Sequence, residues 1–329
     1  MRQLLLSAAL TLAGSLLFSP TQAWAQSNYP SKQVSIILGY PPGGQSDVLI
    51  RALAPRLAAE WKQPVVVENR PGANEVIAAQ LASRAPADGY TLFMCTETAL
   101  TQNPFLFRSL PYNPEKDFAP VTQMVKVIMG LAVNAKVPVN TLSEYIALVK
   151  GRSTGNPISY GSVGTGGVMH LPMAMLAKQN GLNMLHVPYK GGGPATTDLL
   201  SGQIDSIWLP VSGLVPFMRD GRLKVLVVDA PARVKSMPDV PTFSETGVAP
   251  VQAAFMLAMM APAGTPKEIT EKISSTINKI MSDPKFRETQ LDPFGLVLVG
   301  STPSELATYL TMDRPRQAER IKISGAELN

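Results

Sequence analysis

The feature that most limits how this chain can fold is an alternation of short apolar runs with amphipathic helical segments, separated by loops rich in glycine and proline. Residues 34–38 form a β-branched apolar run, residues 39–44 interrupt it with two prolines and three glycines, and residues 46–61 show helical periodicity. A second run and helix follow at 64–84, and a third run lies at 90–95. Strands that are apolar on both faces and alternate with helices favour an α/β fold with a parallel sheet and right-handed crossovers.

A second series of the same kind starts near residue 127, which predicts a second α/β lobe. Its strand-like runs, which alternate with helical segments, lie at 128–133, 158–161, 185–187, 204–209 and 223–228. The C-terminal part, with one strand at 255–261 and two helices, has too little sheet to form a domain, so we expect it to pack on the first lobe. The predicted division is residues 26–126 plus 250–329 for lobe 1 and residues 127–249 for lobe 2, with two crossovers of the chain.

The first 25 residues have the composition of an export signal. Arg2 provides a positive charge, residues 4–18 are an apolar stretch, and Ala23 and Ala25 occupy the −3 and −1 positions of a cleavage site. An uncleaved membrane anchor is the alternative, but 15 residues fall short of the roughly 20 that span a bilayer. We therefore predict cleavage before Gln26 and a periplasmic mature protein.

The mature chain of 304 residues would carry 28 basic and 24 acidic residues, a net charge of +4, without a Lys/Arg cluster. Nucleic acid is therefore not an expected partner, although a mildly positive surface would attract anionic ligands. Cys95 is the only cysteine, which excludes an intramolecular disulfide, and the two histidines, His170 and His186, lack the spacing of a metal site. We predict no metal, no cofactor and a monomer.

The glycine- and proline-rich loops are the candidate binding elements, because ligands of open parallel sheets bind at the carboxyl ends of the strands. Glycine allows close approach of the backbone, and the helix N-termini that follow attract anions. Since these loops contain few charged residues, backbone amides and hydroxyl groups are the expected partners of a carboxylate ligand. The hydroxyl groups belong to Ser46, Thr96, Thr98, Ser162 and Thr165.

Other roles remain open for some of these residues. For Ser46 or Asp47, the alternative to ligand contact is a structural role as a helix N-cap. Asp47 can also form an ion pair with Arg51, four residues later in the helix. Ser162, with one of the two histidines as base, is the best candidate for a hydrolase nucleophile. Residues 161–164 match the nucleophile-elbow pattern only loosely, however, so a binding protein is favoured over an enzyme.

Short motifs in the loops, in collinear order along the mature chain, resemble those of one receptor family. They are Tyr40-Pro-Pro-Gly-Gly44, Val65-Val-Val-Glu-Asn-Arg-Pro-Gly-Ala73, Asp88-Gly-Tyr-Thr-Leu92, Asp117-Phe-Ala-Pro-Val121, Tyr160-Gly-Ser162, His186-Val-Pro-Tyr-Lys-Gly191, Pro238-Asp-Val-Pro-Thr242 and Ala261-Pro-Ala-Gly-Thr-Pro266. The set resembles the Bug-type receptors, which are the extracytoplasmic solute-binding proteins of tripartite tricarboxylate transporters.

The resemblance implies a type II periplasmic-binding (Venus-flytrap) fold, in which two doubly wound α/β lobes are joined by two crossover strands. It also implies that the Pro-Pro-Gly-Gly loop of lobe 1, partly through ordered waters, and residues 162–165 of lobe 2 hold a ligand carboxylate. The expected ligands are dicarboxylates, tricarboxylates, amino acids and aromatic acids, and the expected partner is a membrane permease. A ligand sensor that signals to a membrane partner is the other receptor function that fits.

The residues predicted to contact ligand come from the loops and from the resemblance. They are Tyr40, Pro42, Gly43, Gly44, Ser46, Asp47, Ala73, Thr96, Glu97, Thr98, Ser162, Val163, Gly164, Thr165, Gly166, His170, Lys190, Gly191 and Asp205.

In one loop the chain departs from the family pattern. Asn74 and Glu75 follow Ala73, where small residues are common, and Ala78 stands where glycine is frequent. We hypothesise that Glu75 or Glu97 faces the cleft and favours a ligand with an amine, amide or hydroxyl donor beside its carboxylate. The alternative is that both side chains lie in solvent, with Glu75 complementing a helix dipole.

The export signal gives the first testable prediction. When the full sequence is expressed in a Gram-negative host, the protein should be recovered from the periplasm with Gln26 as its first residue, which N-terminal sequencing and intact-mass spectrometry would show. Ala25→Leu, which places a bulky side chain at the −1 position, should retain the leader. A wild-type chain that keeps residues 1–25 would contradict the prediction.

Overall fold

The structure is a computed structural model that describes residues 29–152 and 155–326. The predicted export signal lies outside these residues. Within them, no helix is both long enough and apolar enough to cross a membrane.

The described residues form two sheets flanked by helices. The strands are β1 (Val34–Leu38), β2 (Val65–Asn69), β3 (Thr91–Cys95), β4 (Phe118–Val127), β5 (Met129–Asn134), β6 (Ile158–Ser162), β7 (Met184–Pro188), β8 (Ser206–Pro210), β9 (Leu223–Val228), β10 (Phe255–Pro262) and β11 (Leu296–Leu298). The helices are α1 (Gln45–Trp61), α2 (Val76–Ser83), α3 (Asn103–Leu106), α4 (Leu142–Gly151), α5 (His170–Asn180), α6 (Gly192–Ser201), α7 (Val211–Arg219), α8 (Phe243–Thr246), α9 (Lys267–Ser282), α10 (Pro284–Phe286) and α11 (Pro303–Ser324). Two π-helical turns lie at Thr98–Gln102 and Arg287–Leu291, and a 3₁₀ turn at Asp292–Phe294.

The sheet of the first lobe has the strand order β11-β4-β10-β3-β1-β2. Strands β1, β2 and β3 run parallel, as the alternation of strands and helices predicts. Strand β10 is antiparallel to both β3 and β4, so the sheet is mixed rather than fully parallel. Strand β11 is also antiparallel to β4, so β10 and β11, both from the C-terminal part of the chain, run against the other four strands.

The sheet of the second lobe has the order β7-β6-β8-β5-β9. Strands β6, β7 and β8 are parallel, whereas β5 is antiparallel to β8 and β9. The chain enters this lobe at Ile128 and leaves it between Val228 and Phe255. The predicted two-lobe α/β fold is therefore confirmed, with mixed sheets in both lobes.

Helix α11 contacts both lobes. Thr302 caps its first turn by accepting a hydrogen bond from the amide of Glu305, and the Glu305 side chain bonds back to the Thr302 amide. Near the end of the helix, Ile321 packs with Leu106 of α3 and Leu171 of α5 in a small apolar cluster. Because Leu106 belongs to lobe 1 and Leu171 to lobe 2, burial of this cluster holds the two lobes together.

Replacing Ile321 by alanine tests the contribution of this cluster. Ile321 is 5% exposed, and truncation of a buried isoleucine usually lowers the free energy of unfolding by about 2–5 kcal/mol. Met312 on the same helix is 53% exposed, so Met312→Ala should change the free energy of unfolding by less than about 0.5 kcal/mol. Urea unfolding of the two variants measures the difference, and equal losses would contradict the assigned packing.

Candidate ligand-binding cleft

A cavity of about 570 Å³ lies between the loops of the two lobes. Its walls come mainly from the loops that follow β1 and β2 in lobe 1 and β6 and β7 in lobe 2. These loops meet because the carboxyl ends of parallel strands face the same edge of a sheet. The lining residues are Gly39, Tyr40, Pro41, Pro71, Gly72, Ala73, Asn74, Glu75, Thr98, Phe107, Val163, Gly164, Thr165, Gly167, Val168, Tyr189, Lys190 and Gly191.

A left-handed turn before α2 shapes the lobe 1 wall. Ala73, Asn74 and Glu75 have φ values of 46°, 51° and 66°, in a region that non-glycine residues rarely adopt. Each left-handed residue of this kind costs roughly 1–2 kcal/mol. The turn sends two consecutive side chains in different directions, Asn74 to lobe 2 and Glu75 back over the end of β1.

Asn74 makes a direct contact between the lobes. Its Nδ2 donates a hydrogen bond of 2.7 Å to the carbonyl oxygen of Thr165. Gly164 has a φ of 143°, and a Cβ at that position would collide with Oδ1 of Asn74, so the close approach requires glycine. A hydrogen bond between Ser212 of α7 and Gln45 of α1 joins the lobes at a second point.

The Glu75 carboxyl group is buried in the lobe 1 wall, with 2% of the residue exposed. It accepts hydrogen bonds from the Thr96 amide, at 3.2 Å, and from the Thr96 hydroxyl. Burial raises the pKa of Glu75 to about 7, although the hydrogen bonds from Thr96 oppose the shift. Glycine at position 39 leaves room for this side chain, since a Cβ on Gly39 would lie 2.7 Å from Cγ of Glu75.

Two histidines support the lobe 2 loop from behind. Nε2 of His186 lies 2.6 Å from Oγ of Ser162, and the Gly166 amide donates a hydrogen bond of 3.0 Å to Nδ1 of His170. The centroids of the two imidazole rings are 4.2 Å apart, and Tyr160 stacks on His186 at 5.0 Å. Burial lowers the pKa to about 3 for His170, with a further contribution from His186, and to about 4 for His186. Both rings are therefore neutral at pH 7.

Several residues predicted to contact ligand line the cavity. They are Tyr40, Ala73, Thr98, Val163, Gly164, Thr165, Lys190 and Gly191. The hypothesised Glu75 lines it as well.

Other predicted residues lie behind the cavity wall and hold the loops in place. Asp47 accepts hydrogen bonds from the Gly43 amide at 2.9 Å and from Nδ2 of Asn69 at 2.8 Å, and it pairs with Arg51 at 3.0 Å. This arrangement matches the alternative role of Asp47 as an ion-pair partner. The predicted residues outside the lining are Pro42, Gly43 and Gly44, which are exposed, and Ser46, Asp47, Thr96, Ser162, Gly166 and His170, which are buried.

Glu97 and Asp205 lie away from the cleft cavity. Both oxygens of Glu97 accept from the amide of Met256 in β10, at 2.8 and 2.9 Å. Asp205 accepts from the amide and the hydroxyl of Ser159, at 2.7 Å each. Of the two glutamates hypothesised to face the cleft, the structure places Glu75 there and Glu97 elsewhere.

A second cavity, of about 610 Å³, adjoins the crossover segments. Glu97, Asp313 and Arg320 are among its lining residues. Arg320 donates hydrogen bonds to the carbonyl oxygens of Val251 and Gln252, at 3.1 and 2.9 Å. Burial, and then the nearby Asp313 carboxylate, raise the pKa of Glu97 to about 8. Glu97 and Arg320 thus hold the second crossover segment against lobe 1.

Sequence reasoning did not single out some of the lining residues. They are Gly39, Pro41, Pro71, Gly72, Asn74, Phe107, Gly167, Val168 and Tyr189. Most of them lie in or next to loops that were predicted to face the ligand. Their position in those loops was the sequence feature that could have identified them. Phe107 follows α3, outside every predicted loop.

Comparison with known proteins finds one family. The sequence profile of the family described as "Tripartite tricarboxylate transporter family receptor" matches residues 49–323. The periplasmic binding protein BugD has a similar structure, with a TM-score of 0.83 and 30% sequence identity over 91% of this chain and 99% of BugD.

Two further similar structures contain a ligand. One is an R. palustris protein with adipate, which has a TM-score of 0.85 and 28% identity over 90% of this chain and 98% of that chain. The other is MatC from Rhodopseudomonas palustris with bound malate, which has a TM-score of 0.81 and 28% identity over 89% of this chain and 100% of that chain. Both ligands are small dicarboxylates.

The histidine pair makes the stability of the protein depend on pH. Since the pKa of buried His170 is about 3 in the folded state and about 6.5 when unfolded, the unfolded chain binds the extra proton between these values. The stabilisation is present above pH 6.5 and is lost as the pH falls, at up to about 1.4 kcal/mol per pH unit for the one proton. His170→Gln, whose side-chain oxygen can still accept from Gly166, should flatten the urea-unfolding profile between pH 6.5 and pH 4.

The matched variant is Asn180→Gln, at the far end of the same helix and with no titrating group. It should retain the wild-type slope. Parallel profiles for wild type and His170→Gln would contradict the neutral, buried state of His170.

Proposed function

This chain belongs to the receptor family of tripartite tricarboxylate transporters, and on that premise we propose that it binds a small organic carboxylate between its lobes and delivers it to a membrane permease. The observation that carries the proposal is the cavity of about 570 Å³ between the two sets of loops. Its volume falls in the range of small-molecule sites. The adipate and malate held by two relatives are acids of this size class.

The carboxylate is held by backbone amides and hydroxyl groups rather than by an arginine. Gly191, the N-cap of α6, lines the cavity, so the positive end of that helix borders the ligand. Thr165 brings a hydroxyl group from lobe 2, whereas the Thr98 hydroxyl already donates to Oε1 of Gln102 at 2.9 Å. A hydrogen bond to a charged group contributes roughly 1.5–3 kcal/mol. Four such bonds, less the cost of association, are consistent with a Kd of about 1 μM.

Ligand binding favours closure of the lobes. The hydrogen bonds of Asn74 with Thr165 and of Gln45 with Ser212 already join the lobes across the cleft. A ligand that touches both walls adds contacts that only the closed arrangement offers, so it shifts the population toward that arrangement. The permease then recognises the two lobes in their closed relative position.

The pair formed by Ser162 and His186 is the observation that favours an enzyme instead. Their separation of 2.6 Å is within reach for a nucleophile and its base. Ser162 is fully buried, however, and its hydroxyl also accepts from the Gly164 amide at 3.1 Å, so it holds the loop from within. Burial lowers the pKa of His186 to about 4, which makes the ring a weak base at neutral pH. We therefore propose binding without catalysis.

A thermal-shift screen of the chain from Gln26 onward tests this function. The panel contains aliphatic dicarboxylates, citrate, malate, amino acids, nicotinate and aromatic acids. A ligand at one hundred times its Kd should add about 2.7 kcal/mol of apparent stability, which raises the melting temperature measurably. We expect structurally related hits, with no turnover of ester substrates.

Two tryptophan variants locate the binding site. A Cβ on Gly191 would meet Cγ of Pro41 at 3.4 Å, so Gly191→Trp should block the cleft and abolish the shift. A Cβ on Gly193 meets no atom within 4 Å, and Gly193→Trp should respond like wild type. Absence of any shift in wild type, after refolding to remove bound ligand, would contradict carboxylate binding, and an undiminished shift in Gly191→Trp would contradict the assigned site.

A further inference from the structure

The two walls of the cleft differ in charge. Among the described residues that line the cavity, Glu75 is the only acid and Lys190 is the only base. Glu75 lies at the start of α2 in lobe 1, and Lys190 lies before α6 in lobe 2. Glu75 is buried, whereas Lys190 is exposed to solvent. A ligand in the cleft therefore meets a buried acidic group on one side only.

The lobe 1 wall is built around the Glu75 carboxyl group. Gly39 leaves the space that the side chain occupies, and the left-handed turn at residues 73–75 brings the side chain over β1 in spite of its conformational cost. Thr96 contributes two hydrogen bonds. A glutamate that only complemented the dipole of α2 would lie in solvent and would need none of these features.

The neighbours of Glu75 fix its carboxylate as an acceptor. The Thr96 hydroxyl donates to Glu75, so the Tyr40 hydroxyl, at 3.3 Å, donates to the Thr96 oxygen in turn. A carboxylate has about four lone-pair sites, and Thr96 occupies two of them. The remaining capacity suits a donor group on the ligand.

The orientation of the ligand follows from the helix termini. Helix α2 starts at Val76, directly after Glu75, so an acidic residue stands at the positive end of that helix. The positive end of α6 and the ammonium group of Lys190 remain on the opposite wall. The ligand carboxylate is therefore directed to lobe 2, and the other end of the ligand is directed to Glu75.

We propose, on the basis of the proposed function, that the preferred ligand is a small carboxylic acid with a hydrogen-bond donor at the end that faces Glu75. The donor is an amine, an amide or a hydroxyl group. An unsubstituted dicarboxylate would bring a second negative charge against a buried carboxylate, where poor solvation makes repulsion strong. Glu75 is thus a specificity-determining residue that discriminates against plain diacids.

Isosteric ligand pairs test this proposal. The probes are succinate, glutarate and adipate, their half-amides, and the ω-amino acids of four to six carbons. Each Kd is measured by titration calorimetry at pH 8.5, where Glu75, with a pKa of about 7, is ionised. Wild type should bind a half-amide or amino acid about tenfold or more tighter than the diacid of equal length, which is the effect of one hydrogen bond to a charged group.

Glu75→Gln should reduce this preference by about tenfold, because the amide side chain no longer repels a carboxylate. The matched control is Glu97→Gln, which replaces a second buried glutamate outside the cleft cavity and should keep the wild-type ratio. If Glu97→Gln also loses the preference for half-amides and amino acids over diacids, that loss reflects a global change in the protein, and the role of Glu75 is overturned.

The wild-type ligand series keeps the proposal testable even where a variant does not fold. Three results would overturn the selectivity and leave carboxylate binding intact. They are equal Kd values within pairs, a preference for diacids, and no binding by any of these compounds while other acids bind in the screen. If no acid in the broader screen binds, the proposed function falls and the selectivity falls with it.

Discussion

The cleft depends on a left-handed turn of three non-glycine residues, Ala73 to Glu75, between β2 and α2. Each residue in this conformation costs free energy, so the turn persists only because its side chains are held on both sides. Asn74 is held by the carbonyl oxygen of Thr165 in lobe 2, and Glu75 by Thr96 in lobe 1. The same short segment thus sets the distance between the lobes and the chemistry of one wall.

The cleft cavity and the second cavity beside the crossover segments have different roles, because their polar groups have different hydrogen-bond partners. In the second cavity, here called the hinge cavity, Glu97 accepts hydrogen bonds from the Met256 amide. Arg320 donates to carbonyl oxygens of the second crossover segment. In the cleft, Glu75 retains lone pairs for a ligand, and Lys190 on the opposite wall is exposed to solvent. The polar groups of the hinge cavity therefore stabilise the connection between the lobes, while Glu75 and Lys190 in the cleft can still bind a ligand.

Much of the fold could be predicted from periodicity, whereas β4 could not. The strands and helices that are apolar and regular were located to within one or two residues, as with β1 and α1. Strand β4 contains Pro120 and three polar residues between Thr122 and Lys126, and its register with β10 shifts near the proline. Neither continuous apolarity nor strict alternation marks such a strand. The sheets are mixed because β5, β10 and β11 run against the other strands, and the alternation of strands and helices does not predict their direction.

For the candidate site, the sequence identified the loops that line the cavity but not the orientation of side chains within them. Asp47 and Ser162 carry suitable groups, yet short polar side chains in loops often bond to nearby backbone, as both do here. Whether Glu75 or Glu97 lies at the cleft depends on the left-handed turn at residues 73–75. No sequence pattern predicts such a turn, because it contains no glycine.

A crystal structure of the mature protein with the strongest acid from the screen tests the central claim most directly. We predict ligand density between the turn at residues 73–75 and the loop at residues 163–167, with the carboxylate on the lobe 2 side. Density in the hinge cavity beside Glu97 and Arg320, or only on the outer surface, would contradict it.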